Sequence, residues 1–267
     1  LLLSVSQELA AGATPTAAPL APPTALPLDQ CALFLDLDGT LIEYAHHPRA
    51  VTVDAPLLSL LQLLPQHLGG AVALVSGRSI EALDQLLDPL RLPASGLHGF
   101  ERRSARGVHS RHAAPLPQAL ATARRLLAQL AARDPRIRLE DKGFALALHF
   151  RQAPELEPEL IDAARLIAAQ IGGGLELLLG PKVAELTPQG VSKASAVAEF
   201  MREPPFSGRR PLFVGDDPTD EPAFEWVNAA GGLSVAVNVT GATTAATRLR
   251  SVREVRAWLH ALLGSSA

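Results

Sequence analysis

Residues 31–41, Cys31-Ala32-Leu33-Phe34-Leu35-Asp36-Leu37-Asp38-Gly39-Thr40-Leu41, decide how the chain is read. The apolar run at its start predicts a buried strand over 31–37. That strand ends in two acids spaced two apart, then a glycine. Side chains alternate faces along extended backbone, so Asp36 and Asp38 leave the strand end on one side. Paired carboxylates at the end of a buried strand are costly unless something neutralises them. A divalent cation with a phosphate would do so. The bland alternative is a strand running into an Asp-Gly turn.

A chain of 267 residues has room for one large domain or two smaller ones. Apolar residues at 48% and charged residues at 19% are ordinary for a folded protein. A net charge of −3 supplies no basic field for nucleic acid or an anionic membrane. No apolar run approaches the roughly 20 residues that span a bilayer. The single cysteine, Cys31, excludes an intramolecular disulfide and suits a reducing cytoplasm. Lysine occurs only at Lys142, Lys182 and Lys193, whereas the other basic residues are arginine. An ammonium is a compact point charge that the planar guanidinium does not replace, so these three positions draw notice.

Residues 1–30, rich in Ala, Pro and Thr, read as a disordered tail or linker. The chain does not open on Met, and a truncated start or a fusion remnant would both fit. From residue 31 strands and helices alternate: helix over 54–68 with Asp54 as N-cap, strand over 70–76, helix over 79–87. Such βα units predict a parallel sheet. The middle differs, with helices over 117–133 and 154–171 and strands over 136–140, 144–150, 174–179 and 182–186. Asp141-Lys142-Gly143 marks a hairpin turn between the first two of those strands. The βα rhythm returns with helix 191–202, strand 211–214, helix 220–227, strand 233–237 and helix 252–263. The expected fold is therefore α/β: a Rossmann-like parallel sheet core from 31–106 and 188–267, with an inserted α+β cap over 107–187. Hinges are expected at Arg106-Gly107 and Thr187-Pro188-Gln189. In open α/β sheets ligands bind beyond the carboxyl ends of the strands, where the chemistry-bearing side chains fall.

Four signals stand at strand ends or helix starts: Asp36-Leu37-Asp38-Gly39-Thr40, Val75-Ser76-Gly77-Arg78, Lys193, and Gly215-Asp216-Asp217-Pro218-Thr219-Asp220. Each is weak alone. In this order they resemble the haloacid dehalogenase (HAD) superfamily of phosphotransferases. The resemblance implies Asp36 as nucleophile, Asp38 as general acid and base, Ser76 and Lys193 as phosphate contacts, and Arg78 as a substrate contact. It further implies Mg2+ held by Asp36, Asp38 (through its carbonyl) and Asp216, with Asp220 steadying a metal-bound water. Asp217 is read as a cap of the following helix.

The resemblance sharpens in Gly96-Leu97-His98-Gly99-Phe100-Glu101-Arg102-Arg103, Glu140-Asp141-Lys142, Ala147-Leu148-His149-Phe150-Arg151, Lys182-Val183-Ala184-Glu185-Leu186 and the run from Gly215 to Phe224. Together these are similar to trehalose-6-phosphate phosphatases over about residues 31–239. The match implies that Glu140, Lys142 and Glu185 grip sugar hydroxyls, with Arg103, Lys182 and His149 as secondary candidates; His149 reads equally as a strand histidine with its own partner. It also implies a small phosphosugar substrate, no nucleic acid or membrane partner, and a monomer with room for association with trehalose-6-phosphate synthase. Two departures stand out. Ala194 follows Lys193 where the family usually has Gly, and Pro218 and Pro222 replace the commoner Leu and Asp. The rival readings are another capped sugar phosphatase, acting on sucrose 6-phosphate or mannosyl-3-phosphoglycerate, and a catalytically silent phosphosugar-binding module of a synthase fusion.

Overall fold

A computed structural model describes residues 21–23, 25–44, 52–112, 117–171, 174–180 and 182–264. Most of the expected tail, residues 1–20 and 24, lies outside the described residues. Its last part belongs to the folded body, because Leu28 is buried in the core and the Trp258 indole N–H donates to the Pro23 carbonyl at 2.8 Å.

Strand β1 (Cys31–Leu35) is followed by α1 (Ala55–His67), β2 (Val72–Val75), α2 (Ile80–Leu86), β3 (Ala94–Gly96), β4 (Glu101–Arg103) and β5 (His109–Arg111). Helix α1 starts where the Asp54 carboxylate accepts the Leu57 N–H, and α2 where the Ser79 hydroxyl accepts that of Ala82. Each side chain satisfies one of the amides that a helix start leaves open. Next come α3 (Pro117–Ala131), β6 (Arg138–Asp141), β7 (Leu146–His149), α4 (Glu157–Ile171), β8 (Leu175–Gly180) and β9 (Val183–Pro188). The chain then forms α5 (Lys193–Phe200), β10 (Arg210–Gly215), α6 (Glu221–Ala229), β11 (Leu233–Val237), β12 (Thr247–Leu249) and α7 (Val252–Gly264).

Eight strands form the large sheet in the order β12-β11-β10-β1-β2-β3-β4-β5. All neighbours from β12 to β3 are parallel, and β4 and β5 add antiparallel pairs at one edge. The strand order leaves β1 in both directions, so the end of β1 is the topological switch point where such sheets bind ligands. Both faces of the sheet are covered. Leu33, Leu35, Val72, Leu74, Leu212 and Val214 pack under α1, α2 and α7, and Ala32, Phe34, Ala73, Val75 and Phe213 pack under α5 and α6. That division follows directly from strand alternation, and explains why these strands read as continuous apolar runs.

The edge was not legible. β5 is exposed at all three residues and carries no apolar side chain, so neither periodicity nor propensity marks it. Its pairing with β4 extends the large sheet through Arg111. The expected start of the cap at 107 thus falls inside a core hairpin, and Arg106-Gly107 belongs to its turn rather than to a crossing between units. The core-to-cap connection at 113–116 lies outside the described residues.

The cap is a separate antiparallel sheet, β6-β7-β9-β8. One face, with Leu146, Leu148, Ala184 and Leu186, packs on α3 and α4. The other face sets Arg138, Glu140, His149 and Glu185 among Ala147, Leu178 and Val183. Cap and core meet where the Phe144 ring, at the β6–β7 turn, stacks on Phe100 with centroids 3.8 Å apart.

Phe34, Phe200 and Phe206 are fully buried, with neighbouring ring centroids 5.0–5.9 Å apart. Phe206→Ala should therefore lower unfolding free energy by about 3–5 kcal/mol in urea titration; a loss below about 1 kcal/mol would show that this trio is not a packed core.

Candidate active site

The parallel pairing of β1 with β10 puts two acidic loops side by side. After Leu35 the chain turns through Asp36, Asp38 and Gly39, and after Gly215 through Asp216, Asp217 and Asp220. Gly39 adopts φ +80°, and a Cβ there would lie 2.1 Å from Asp216 Oδ2. Only glycine allows the two loops to come this close. Arg256 of α7 steadies the first loop by donating to the Leu41 carbonyl at 2.7 Å.

Asp36, Asp216 and Asp220 each present a carboxylate oxygen, all within 4.8 Å of one another. Helix α5 opens with a capping box at Ser192, and so fixes Lys193 as the first helical residue. Lys193 is 2% exposed; its Nζ lies 3.1 Å from Asp36 Oδ1 and donates to Asp220 Oδ1 at 2.7 Å. Burial alone would push the ammonium down, but the carboxylates of Asp220 and Asp36 hold it well above its usual value. Burial and mutual repulsion push the acids up: Asp36 well above the carboxylate range, Asp216 upward, and Asp220 to about 6, each opposed by Lys193. One buried ammonium does not neutralise so many carboxylates. An all-oxygen donor set short of positive charge fits a hard divalent cation.

The members of the cluster differ in what they already hold. Asp220 is fully buried; its Oδ1 takes Lys193 and its Oδ2 accepts the N–H groups of Asp216 and Asp217 at 2.9 and 3.0 Å. It ties the loop and the lysine together. Asp216 accepts from Thr40 Oγ1 at 3.0 Å and Tyr44 Oη at 2.9 Å. Asp217 accepts the Thr219 N–H at 2.8 Å, as a helix cap does.

Asp38 sits beside this cluster, but its carboxylate is clasped by Arg78, with Nε to Oδ2 and Nη2 to Oδ1 both at 2.6 Å. Arg78, expected to meet substrate, here orients Asp38. Ser76 directly follows β2, is buried, and accepts the Arg78 N–H at 3.1 Å.

In the cap, Glu140 and Glu185 both stand opposite Ala147, in adjacent strands. Residues in one cross-strand row share a face, so the two acids flank a small side chain on the polar side of the cap sheet. Lys142 Nζ donates to both oxygens of Glu185, at 2.8 and 2.9 Å. His149 Nε2 and Glu140 Oε2 are hydrogen-bonded at 2.8 Å.

Two expected site residues are engaged elsewhere. The Arg103 guanidinium is spent on the Leu92 carbonyl and Asp84, fastening β4 to α2 and its following loop. Lys182, in the β8–β9 turn with φ +62°, pairs with Glu157 of α4. Both were picked out by residue type within a matching segment, which does not reveal which local carboxylate or carbonyl will claim a cation.

Residues 34–253 match a family model described as trehalose-phosphatase. The chain belongs to that family. It is 48% identical over 231 residues to the trehalose-6-phosphate phosphatase of Escherichia coli (strain K12), covering 85% of each chain. It is 43% identical over 216 residues to a probable trehalose-phosphate phosphatase of Sinorhizobium fredii, covering 79% of this chain and 78% of that one. Among solved structures, the C-terminal domain of the Candida albicans trehalose-6-phosphate phosphatase shares the fold with a TM-score of 0.76 at 20% identity, covering 93% of this chain and 99% of that one.

Reading the family's motifs alone left out two residues that hold Asp216, Thr40 and Tyr44. Thr40 stood inside the quoted motif.

Replacing Lys193 with Met in metal-free protein should cost about 3–5 kcal/mol of stability at pH 8, because it leaves buried carboxylates unpaired. Those carboxyls have folded pKa values above their unfolded ones, so the folded state binds their protons more tightly and acid favours it. The loss should shrink by pH 5, as Asp220, near 6 even beside Lys193, takes up its proton. Equal losses in urea titrations at the two pH values would contradict this charge arrangement.

Proposed function

We propose that this protein is a Mg2+-dependent phosphatase that hydrolyses trehalose 6-phosphate to trehalose and inorganic phosphate. The observation that carries this reading is the buried Asp36–Lys193–Asp220 arrangement beside Asp216, in a chain nearly half identical to a trehalose-6-phosphate phosphatase along most of its length. A silent binding module would have no use for a costly cluster of buried charges kept intact.

Asp36, Asp216 and the Asp38 carbonyl are the proposed Mg2+ ligands, with Asp220 acting through Lys193 and the loop amides. Bound there, Mg2+ would screen the repulsion between a dianionic phosphate and the carboxylates. Asp36 attacks phosphorus, the bond from phosphorus to the sugar oxygen breaks, and an aspartyl-phosphate forms. Asp38 gives its proton to the departing sugar oxygen. It then takes a proton from the water that attacks the phosphoryl group, which releases phosphate and restores Asp36. Arg78 aims the Asp38 carboxyl, and its clasp must loosen for the proton to pass. Ser76 and Lys193 contact phosphoryl oxygens.

The division into core (31–106 and 188–267) and cap (107–187) carries over as a proposal, with the core's share extended through Arg111. The cap's polar face, with Glu140, Lys142 and Glu185, reads the disaccharide: carboxylates accept hydroxyl hydrogens and the ammonium donates. A site built on such bonds rejects analogues that lack them. His149 supports Glu140. The lone, buried Cys31 suits a cytoplasmic enzyme, and no described helix is long and apolar enough to cross a membrane. A Thermoproteus tenax relative, 34% identical over 238 residues that make up 31% of its length, is a bifunctional trehalose-6-phosphate synthase/phosphatase. Association with a synthase is proposed on that ground.

Purified protein with Mg2+ should release phosphate from trehalose 6-phosphate at least tenfold faster than from glucose 6-phosphate or sucrose 6-phosphate. Equal rates would defeat the assigned substrate. Chelation should abolish turnover and added Mg2+ restore it. Asp36→Asn should be inactive with an unchanged circular dichroism spectrum; retained turnover would remove Asp36 as nucleophile.

A further inference from the structure

The chain holds one tyrosine, Tyr44. It is 63% exposed, so it fills no core. Two contacts nevertheless hold it at the acidic cluster. Its hydroxyl donates to Asp216 Oδ2 at 2.9 Å. Its ring lies against Gly39, where a Cβ would stand 2.5 Å from the ring's Cε2.

The backbone delivers it there. The Leu41 and Ile42 N–H groups both donate to the Leu37 carbonyl, at 2.8 and 3.0 Å, and the Gly39 N–H donates to the Ile42 carbonyl at 2.7 Å. The turn thus doubles back on itself and returns the chain to Gly39, the residue that follows the Asp38 carbonyl. Gly39 leaves room for the Asp216 carboxylate and for the tyrosine ring together.

Asp216 is consequently held at both of its oxygens by hydroxyls from a single turn. Thr40 Oγ1 donates to Oδ1 at 3.0 Å, and Tyr44 Oη to Oδ2. One hydrogen bond would leave the carboxylate free to rotate about the bonded oxygen. A second bond, on the other oxygen, fixes its plane. Such partners of a metal ligand orient it and change metal affinity when lost. Rigidity also selects among ions. Mg2+ demands near-ideal octahedral geometry at short distance, whereas Ca2+ accepts looser and more numerous oxygens.

We infer that Tyr44 is a positioning residue for Asp216 and sets the preference of the site for Mg2+ over Ca2+. This rests on the metal-site reading given above. The opposite role, in which the hydroxyl competes with the cation for the same carboxylate, predicts the opposite sign.

The test measures metal binding directly, without turnover. Free Mn2+ is read from its electron paramagnetic resonance signal, and Mg2+ and Ca2+ are measured by competition, for the wild type, Tyr44→Phe and Asp216→Asn. Phe keeps the ring on Gly39 and removes only the hydroxyl. The dissociation constants do not depend on how much protein is folded, since that fraction enters only the number of sites. Tyr44→Phe should weaken Mg2+ binding about tenfold and Ca2+ binding less than about threefold, so that the preference for Mg2+ narrows. Mg2+ affinity that is unchanged or higher in Tyr44→Phe, or an equal loss for both ions, would overturn the inference and leave the metal site standing. Wild-type protein that binds none of these ions, or Asp216→Asn that binds them as the wild type does, would instead overturn the parent reading.

Discussion

A single buried ammonium governs this molecule. Lys193, 2% exposed, lies between Asp36 from the end of β1 and Asp220 from the loop after β10. Each acid alone would be untenable in that position, and so would the lysine. Their mutual attraction holds two strand ends and the start of α5 in one arrangement. The surplus of carboxylate over ammonium then leaves a local deficit of positive charge. The proposed cation and the phosphate chemistry both follow from that imbalance, since the site is stable enough to exist yet electrostatically incomplete.

The backbone makes the arrangement attainable. The strand order diverges from β1, which opens a crevice at its carboxyl end. Gly39 lets the first loop press against Asp216, and Gly77 leaves room for the His98 imidazole at the loop after β2. Asp220 serves this geometry as much as the chemistry, because its second oxygen gathers two loop amides. That acid shapes the loop that presents Asp216.

Charge is divided between the two units. The core concentrates it around Asp36, Asp216, Asp220 and Lys193, whereas the cap spreads polar groups along one face of a small sheet whose other face is apolar. Generic phosphoryl chemistry and recognition of one sugar are thereby separable, and the stacked Phe100 and Phe144 join them. The proposed division of labour explains why the core motifs resemble a broad superfamily, while Glu140, Lys142 and Glu185 point to one substrate.

Much of this was written in the chain itself. Buried parallel strands must be continuous apolar runs, helices must start at residues able to cap them, and catalytic acids must follow the strand that presents them. Residues 31–41, Asp54 and the run from Gly215 to Asp220 therefore disclosed the core and the acids gathered at its strand ends. Tertiary structure alone decided which charges meet. Arg78 clasps Asp38, Arg103 serves Leu92 and Asp84, Lys182 serves Glu157, and Lys142 joins Glu185. It also decided that an unremarkable triplet, His109-Ser110-Arg111, would close the sheet. The physical reason is range. Periodicity and capping act over a few residues, whereas a long charged side chain chooses its partner from whatever folding brings within 3 Å or so.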